Sequence, residues 1–306
     1  MQRVGDRVIR QDWDTNEIIV PASLGNLGPG FDTVSLAVSL YLRARVIRRI
    51  DDGRGRLITR FIDAPPRGQN RIARAFAVMP ARKASLPSLE IEVRSSIPQR
   101  AGLGSSAAAT IAGLRLRALV DGQRPLDEML GVASRLERHP DNAAAALYGG
   151  LTTSCVTSTG HVNVGRWDWP PSWRVVVATP EAELSTAESR RSLPSVIPLA
   201  DAVFNFQRLS QLLAAVQSRS AADLAGAFED RCHQPYRVRL VPALLRALAL
   251  KHPDVLGVCL AGAGPSVVVF ARRNLATVAG LLRAVYEQDE TAVVIRTLRV
   301  HEERKA

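Results

Sequence analysis

Cysteine is scarce in this 306-residue chain: Cys155, Cys232 and Cys259 are odd in number and far apart. They can build neither a disulfide framework nor a zinc knuckle, and they suit a reducing compartment. Aromatic residues make up only 5%, too few to interleave with basic side chains as a stacking platform for nucleic acid. No apolar run approaches the ~20 residues that cross a bilayer, which excludes a transmembrane helix. Residues 1–7 have no apolar stretch and are not a secretory signal, so a cytoplasmic location is expected. Negative charge is also short, 29 Asp and Glu against 40 Lys and Arg, a net +11. Such a balance suits polyanionic ligands, either nucleic acid or phosphorylated small molecules. With 46% hydrophobic and 23% charged residues, the composition is that of a globular protein, and the length is enough for two domains.

Strand-like and helix-like stretches alternate without a repeat. Residues 17–20 read as a strand running into a Gly/Pro/Asn loop at 21–30. Residues 41–47 and 89–93 alternate as half-buried strands. An Ala-rich helix is predicted over 106–120, and another from Pro125 through Leu136. His139-Pro140 ends that second helix, and Asp141 or Asn142 is placed to cap a third over 143–147. Trp169-Pro170-Pro171 is the best boundary, dividing the chain into 1–168 and 169–306. Beyond it come a strand at 174–178, an amphipathic helix marked by Val203, Phe206, Leu209, Leu213 and Val216, and strands at 255–260 and 267–270. Mixed strands and helices with hairpins argue for an α+β fold.

Three glycine-bearing segments stand out. The sharpest is Ile97-Pro98-Gln99-Arg100-Ala101-Gly102-Leu103-Gly104-Ser105-Ser106-Ala107-Ala108. A strand ends, two glycines let the backbone approach a ligand, and a helix begins on small residues. Free amides at a helix N-terminus, with the positive end of its dipole, suit phosphate. The lysine of a Walker loop is missing. Ser105 and Ser106 could cap the helix, touch phosphate or help hold Mg²⁺. The second segment, Val20-Pro21-Ala22-Ser23-Leu24-Gly25-Asn26-Leu27-Gly28-Pro29-Gly30-Phe31-Asp32, presents an amide and a carboxylate. The third is Leu260-Ala261-Gly262-Ala263-Gly264-Pro265-Ser266.

In their order along the chain, 20–32, 97–108 and 260–266, the three segments resemble the galactose, homoserine, mevalonate and phosphomevalonate (GHMP) kinase superfamily. The N-terminal segment Pro21-Ala22-Ser23-Leu24-Gly25-Asn26-Leu27-Gly28-Pro29-Gly30-Phe31-Asp32, with Glu137-Arg138-His139-Pro140-Asp141-Asn142, Leu184-Ser185-Thr186 with Arg190, and His233-Gln234-Pro235-Tyr236-Arg237, resembles its homoserine kinase branch. Two sites depart from the family pattern: Ser23-Leu24-Gly25 replaces Thr-Ser-Ala, and Arg138 replaces Gly. The resemblance implies a two-domain fold, an N-terminal domain like the ribosomal-protein two-layer sandwich and a C-terminal ferredoxin-like domain, with the active site between them. It implies ATP-dependent phosphorylation of the L-homoserine hydroxyl; the alternative is a GHMP-type kinase of another small alcohol such as mevalonate or shikimate. Residues 98–108 and Asn70 would bind ATP, and Ser106 and Glu137 would hold Mg²⁺. Asn26, Asp32, His139, Asn142, Thr186, Arg190, Arg237 and Gly264 would meet the amino acid. Asn142, Glu137 and Arg190 would carry catalysis, and Asp141 stays open between a proton acceptor and a helix cap. A homodimer is compatible with the resemblance; nucleic acid and membrane are not expected partners.

Overall fold

The computed structural model describes residues 16–303, so residues 1–7 and the cations Arg304 and Lys305 lie outside it. The chain opens with a long hairpin, β1 (Glu17–Asn26) and β2 (Gly30–Ile50), and only residues 27–29 form the turn. The predicted loop at 21–30 is therefore mostly strand. Proline is tolerated in it because the β1–β2 register shifts between Pro21 and Ala22, where its missing N–H breaks no ladder bond. β2 far exceeds the alternating stretch at 41–47. Residues 34–38 are buried on both faces, so they show no period-two pattern.

β3 (Leu57–Phe61), α1 (Arg71–Val78), β4 (Ser88–Ser95), α2 (Ser105–Asp121), α3 (Leu126–Glu137), α4 (Asp141–Tyr148), β5 (Leu151–Val156) and β6 (Val162–Trp167) follow. The first sheet runs β3-β4-β2-β5-β6 with β1 added to β2; only β3 and β4 are parallel. α2 and α4 pack on β1, and most of α2 is buried because alanine, glycine and leucine surround it on all sides.

The second half comprises β7 (Arg174–Pro180), α5 (Thr186–Arg191), α6 (Leu199–Ser218), α7 (Gln234–Arg237), α8 (Leu244–Leu248), β8 (Val255–Leu260), β9 (Val267–Ala271), α9 (Leu275–Glu287) and β10 (Val293–Leu298). Its sheet is antiparallel, in the order β10-β7-β9-β8. Val175, Val177, Val268 and Phe270 face a core shared with the first sheet and its helices. Val176, Val267 and Val269 face a second core under α8 and α9. Trp169 is buried at the joint, its ring 5.2 Å from Phe270. The tail beyond β10 returns to the first sheet: His301 donates its backbone N–H to Ala37 O, and Ser39 donates to Arg299 O.

Candidate active site

The three glycine-bearing segments meet. Ser23 N–H donates to Leu103 O at 3.2 Å, Gly262 N–H to Gly25 O at 2.9 Å, and Ser266 N–H to Ala101 O at 3.3 Å. Gly102 and Gly104 take φ of +76° and +69°, the left-handed region glycine favours. A Cβ on Gly104 would stand 2.0 Å from Ser23 Oγ, and one on Gly102 2.2 Å from Ala261 O. These glycines thus make room for the protein's own segments, a requirement beyond the ligand access expected from sequence. α2 begins at Ser105 with no side-chain cap, so neither serine caps it and its first-turn amides keep their donors. The anchors of the loop lie behind it. Gln99 accepts from Arg67 N and donates to Pro65 O, Arg100 O accepts from Leu184 N–H, and the Arg100 guanidinium lies 3.7 Å from Glu183.

Glu137, the last residue of α3, lies against the start of α2. Ser106 Oγ donates to its Oε2, Thr110 Oγ1 to Oε1 at 2.6 Å, and Arg71 Nη1 to Oε1 at 3.2 Å. The Glu137 side chain is only 7% exposed. A nearly buried carboxylate against a hydroxyl, at a row of free helix amides, is a hard-oxygen donor set that fits Mg²⁺ beside phosphate. Arg138 follows as the helix C-cap at φ +70°, a left-handed position, which is the physical reason glycine suits it.

A second polar cluster lies on the other side of Ser23. Ser23 Oγ donates to Asn142 Oδ1 at 2.9 Å, and Asn142 Nδ2 donates to Asp141 Oδ2 at 3.2 Å. Asp141 Oδ1 lies 2.6 Å from His139 Nδ1. Asp141 does not cap α4: it is the first helical residue, buried, with its carboxylate turned to His139 and Asn142. Nor does Asn142 cap it. Asp32, itself at φ +51°, accepts from Arg190 Nη2 at 2.5 Å, and its N–H is held by Asn26 Oδ1 at 3.0 Å. Asn26 Nδ2 donates to Gly262 O. Burial alone would lower the basicity of His139, but the hydrogen bond and charge of Asp141 outweigh it and raise its pKa.

Arg237 is buried beside this cluster. Its Nη1 donates to His233 Nδ1 at 2.8 Å and to Gly262 O at 3.2 Å, while its Nε has no hydrogen-bond partner. Arg190 and Arg237 lie 5.3 Å and 5.4 Å from the centre of the same Phe31 ring. Burial, then the charge of Arg190, lowers the Arg237 pKa to about 10. Fully buried, His233 is pushed down to about 4 chiefly by desolvation. Its Nε2 lies 2.7 Å from Gly28 O, a geometry that makes Nε2 the donor and leaves Nδ1 to accept from Arg237. Two guanidiniums around one ring form a positive lobe next to the Asp32 carboxylate.

Three predicted residues stand apart from this cluster. Asn70 caps α1, its side chain accepting from Ala73 N. Thr186 is exposed at the start of α5, one turn before Arg190. Gly264 contributes its N–H to Ala261 O within its own loop. Ser23, Phe31, Arg71 and Thr110 were not anticipated. Thr110 was legible, four residues after Ser106 and so on the same helix face; the other three are joined to their partners only by the fold. Asp32, His139 and Asp141 have ligand atoms within 4.8 Å of one another, but Arg190, Asn142 and the mutual His139–Asp141 contact already engage them.

Residues 70–150 match the family model "GHMP kinases N terminal domain". The homoserine kinase of Solibacter usitatus is 38% identical over 270 residues, 87% of this chain and 88% of its own length. That of Moorella thermoacetica is 35% identical over 290 residues, 91% and 95% of the two chains. The crystal structure of homoserine kinase from Cytophaga hutchinsonii superposes with a TM-score of 0.81 at 22% identity, covering 97% of this chain and 98% of that one.

Proposed function

The chain belongs to the homoserine kinase family, and from that premise we propose how its residues divide the labour of phosphorylating the side-chain hydroxyl of L-homoserine with ATP. In the reaction the hydroxyl oxygen forms a bond to the γ-phosphorus, the bond from that phosphorus to the bridging oxygen breaks, ADP leaves and the hydroxyl proton is released to solvent; the product, O-phospho-L-homoserine, feeds threonine synthesis. Phosphoryl transfer depends on in-line placement and on cancelling charge. The observation that carries the reading is one continuous hydrogen-bond path: Leu103 O to Ser23, Ser23 to Asn142, Asn142 to Asp141, and Asp141 to His139. It ties the phosphate loop to the cluster of groups suited to an amino acid.

The loop at 98–108 and the first amides of α2 receive the phosphates. Ser106 and Glu137 hold Mg²⁺, which when bound neutralises phosphate charge. Arg190 and Arg237 take the substrate carboxylate, a planar group that matches their forks. Asp32 takes the ammonium, which shares its carboxylate with Arg190. Asn142 and His139 face the reacting hydroxyl, Asn142 orienting it; the proton leaves late in a loose transition state, so orientation matters more than basicity. Asn26 holds Asp32 in its strained backbone conformation. The family resemblance alone supports Asn70 at the adenine and Thr186 and Gly264 at the substrate.

The same premise supports a division near residue 168. The first part reads as the ribosomal-protein-like two-layer sandwich. The second reads as ferredoxin-like, supported by antiparallel strands whose chain order β7, β8, β9, β10 becomes β10-β7-β9-β8 in the sheet.

A coupled ADP-release assay tests the reading with L-homoserine against L-serine, L-threonine, mevalonate, shikimate and no acceptor. Homoserine is expected to be preferred. A faster turnover of mevalonate or shikimate would move the chain to the alternative, a GHMP-type kinase of another small alcohol.

A further inference from the structure

Ser23 is wholly buried and lies between the two halves of the site. Its backbone N–H is spent on Leu103 O, inside the phosphate loop. Its hydroxyl lies where a Cβ of Gly104 would be, 2.0 Å from that position, so the hydroxyl is packed against the residue before α2. From there it donates to Asn142 Oδ1 at 2.9 Å. The other end of the Asn142 amide donates to Asp141 Oδ2. The Asp141 oxygen accepts from Nδ2, which fixes that end of the amide on its side and leaves Oδ1 to face Ser23. The Ser23 hydroxyl is then the donor that completes the pair, holding the amide at one orientation. One lone pair of Oδ1 and one N–H of Nδ2 remain for a ligand.

We propose that Ser23 is a positioning residue for phosphoryl transfer: resting on the phosphate loop, it locks the Asn142 amide in register with the position of the γ-phosphate. The proposal rests on the reading that Asn142 orients the substrate hydroxyl. A hydroxyl at this place links acceptor and donor through a single side chain. Movement of the phosphate loop is thereby passed directly to the group that aims the nucleophile. Removing the Oγ leaves the Asn142 amide tethered only through Nδ2 to Asp141, so Oδ1 loses its anchor and the hydroxyl is misaimed without the loss of any phosphate or carboxylate partner.

The test is steady-state kinetics of Ser23→Ala, Ser23→Thr, Asn142→Ala and the Ser23→Ala/Asn142→Ala double variant, each with a thermal melt. Ser23→Ala is expected to lower kcat on the order of 10–100-fold, the scale of a misplaced reacting group. The KM values for ATP and homoserine should stay within about threefold, the split that marks loss of a transition-state interaction. Ser23→Thr keeps the hydroxyl and should retain most of kcat. In the Asn142→Ala background, Ser23→Ala should cost nothing further, since the two act as a unit. Should Ser23→Ala fail to fold, Ser23→Cys, nearly isosteric with a weak donor, takes its place with the same expectations. A Ser23→Ala enzyme with undiminished kcat overturns the proposal, as does a loss that multiplies with that of Asn142→Ala. A harmless Asn142→Ala removes the underlying reading together with this one. A damaging Asn142→Ala beside a harmless Ser23→Ala removes only the role of Ser23.

Discussion

Glu137 takes hydrogen bonds from Ser106, Thr110 and Arg71, and two of these donors are one helical turn apart on α2. Glu137→Gln keeps the size and loses the anion. Turnover is expected to fall sharply and the Mg²⁺ requirement to rise, while ATP still binds through the loop amides; a Mg²⁺ titration of activity beside nucleotide binding without homoserine checks this. Arg190→Leu and Arg237→Leu should each cost about 2–5 kcal/mol in kcat/KM for homoserine, the range for stripping a partner from a desolvated charge pair. The ATP saturation constant should barely move; if it moves instead of the homoserine constant, the arginines serve the phosphates. His233 has a folded pKa of about 4 against an ordinary 6.5, with burial the main cause. The unfolded chain therefore takes up the proton first as pH falls. The stability held above pH 6.5 is lost progressively down to about pH 4, on the order of 3 kcal/mol from this group. Urea unfolding at pH 7 and pH 5 should show a smaller drop in His233→Gln than in the parent.

At the scale of elements, two helix ends explain themselves through backbone conformation. α2 starts on Gly104 in the left-handed region, and β1 fills the space where a side chain would go. Gly104→Val is thus expected to lose stability as well as activity. The backbone conformation alone costs about 1–2 kcal/mol, and displacing Ser23 adds to it; a lowered urea midpoint alongside lost turnover would show both. α3 ends on Arg138 at φ +70°. Arg138→Gly relieves that strain against a more flexible unfolded chain, for a net gain of up to about 1 kcal/mol, read as a raised urea midpoint with turnover retained. The α2 helix, the α3 helix and the break at His139-Pro140 were legible because apolar spacing and proline are local signals. The continuation of β1 through Pro21 and the first half of β2 were not. A bulge and two-sided burial erase the alternation that a strand needs to be seen.

Over the whole molecule, several arginines of the first sheet are paired with glutamates on neighbouring strands, which leaves the net charge of +11 unchanged. Arg43 pairs with Glu17, Arg48 with Glu90, and Arg60 with Glu92. These solvent-facing pairs add little stability. The tail crosses from the second sheet to the first. Gly150 N–H donates to His301 O, and Glu303 Oε1 lies 3.2 Å from Arg115 Nη2, whose partner nitrogen donates to Ile19 O. Ending the chain after Leu298 removes several of these bonds at roughly 1 kcal/mol each, a loss of about 3–5 kcal/mol. A lower melting temperature is expected, and retention of the parental value would show the tail to be an ornament on the sheet.

Residue types and their local spacing set the chemistry available to each segment. Gly102 and Gly104 before Ser105 mark a turn where the backbone must be approached closely. Asp32, Asn142 and Arg190 supply a carboxylate, an amide and a guanidinium, and the α+β alternation follows from period. Which segments meet is settled by the fold. Ser23 finds Asn142 across 119 residues and Asp32 finds Arg190 across 158. Asp141 turns from the helix end to His139, and the second cation at Phe31 is a residue of α7. The physical reason is that side-chain periodicity encodes which face of an element is buried. Which distant element covers that face is set by close packing, and a glycine can be read as ligand access until the neighbour filling its missing Cβ is seen.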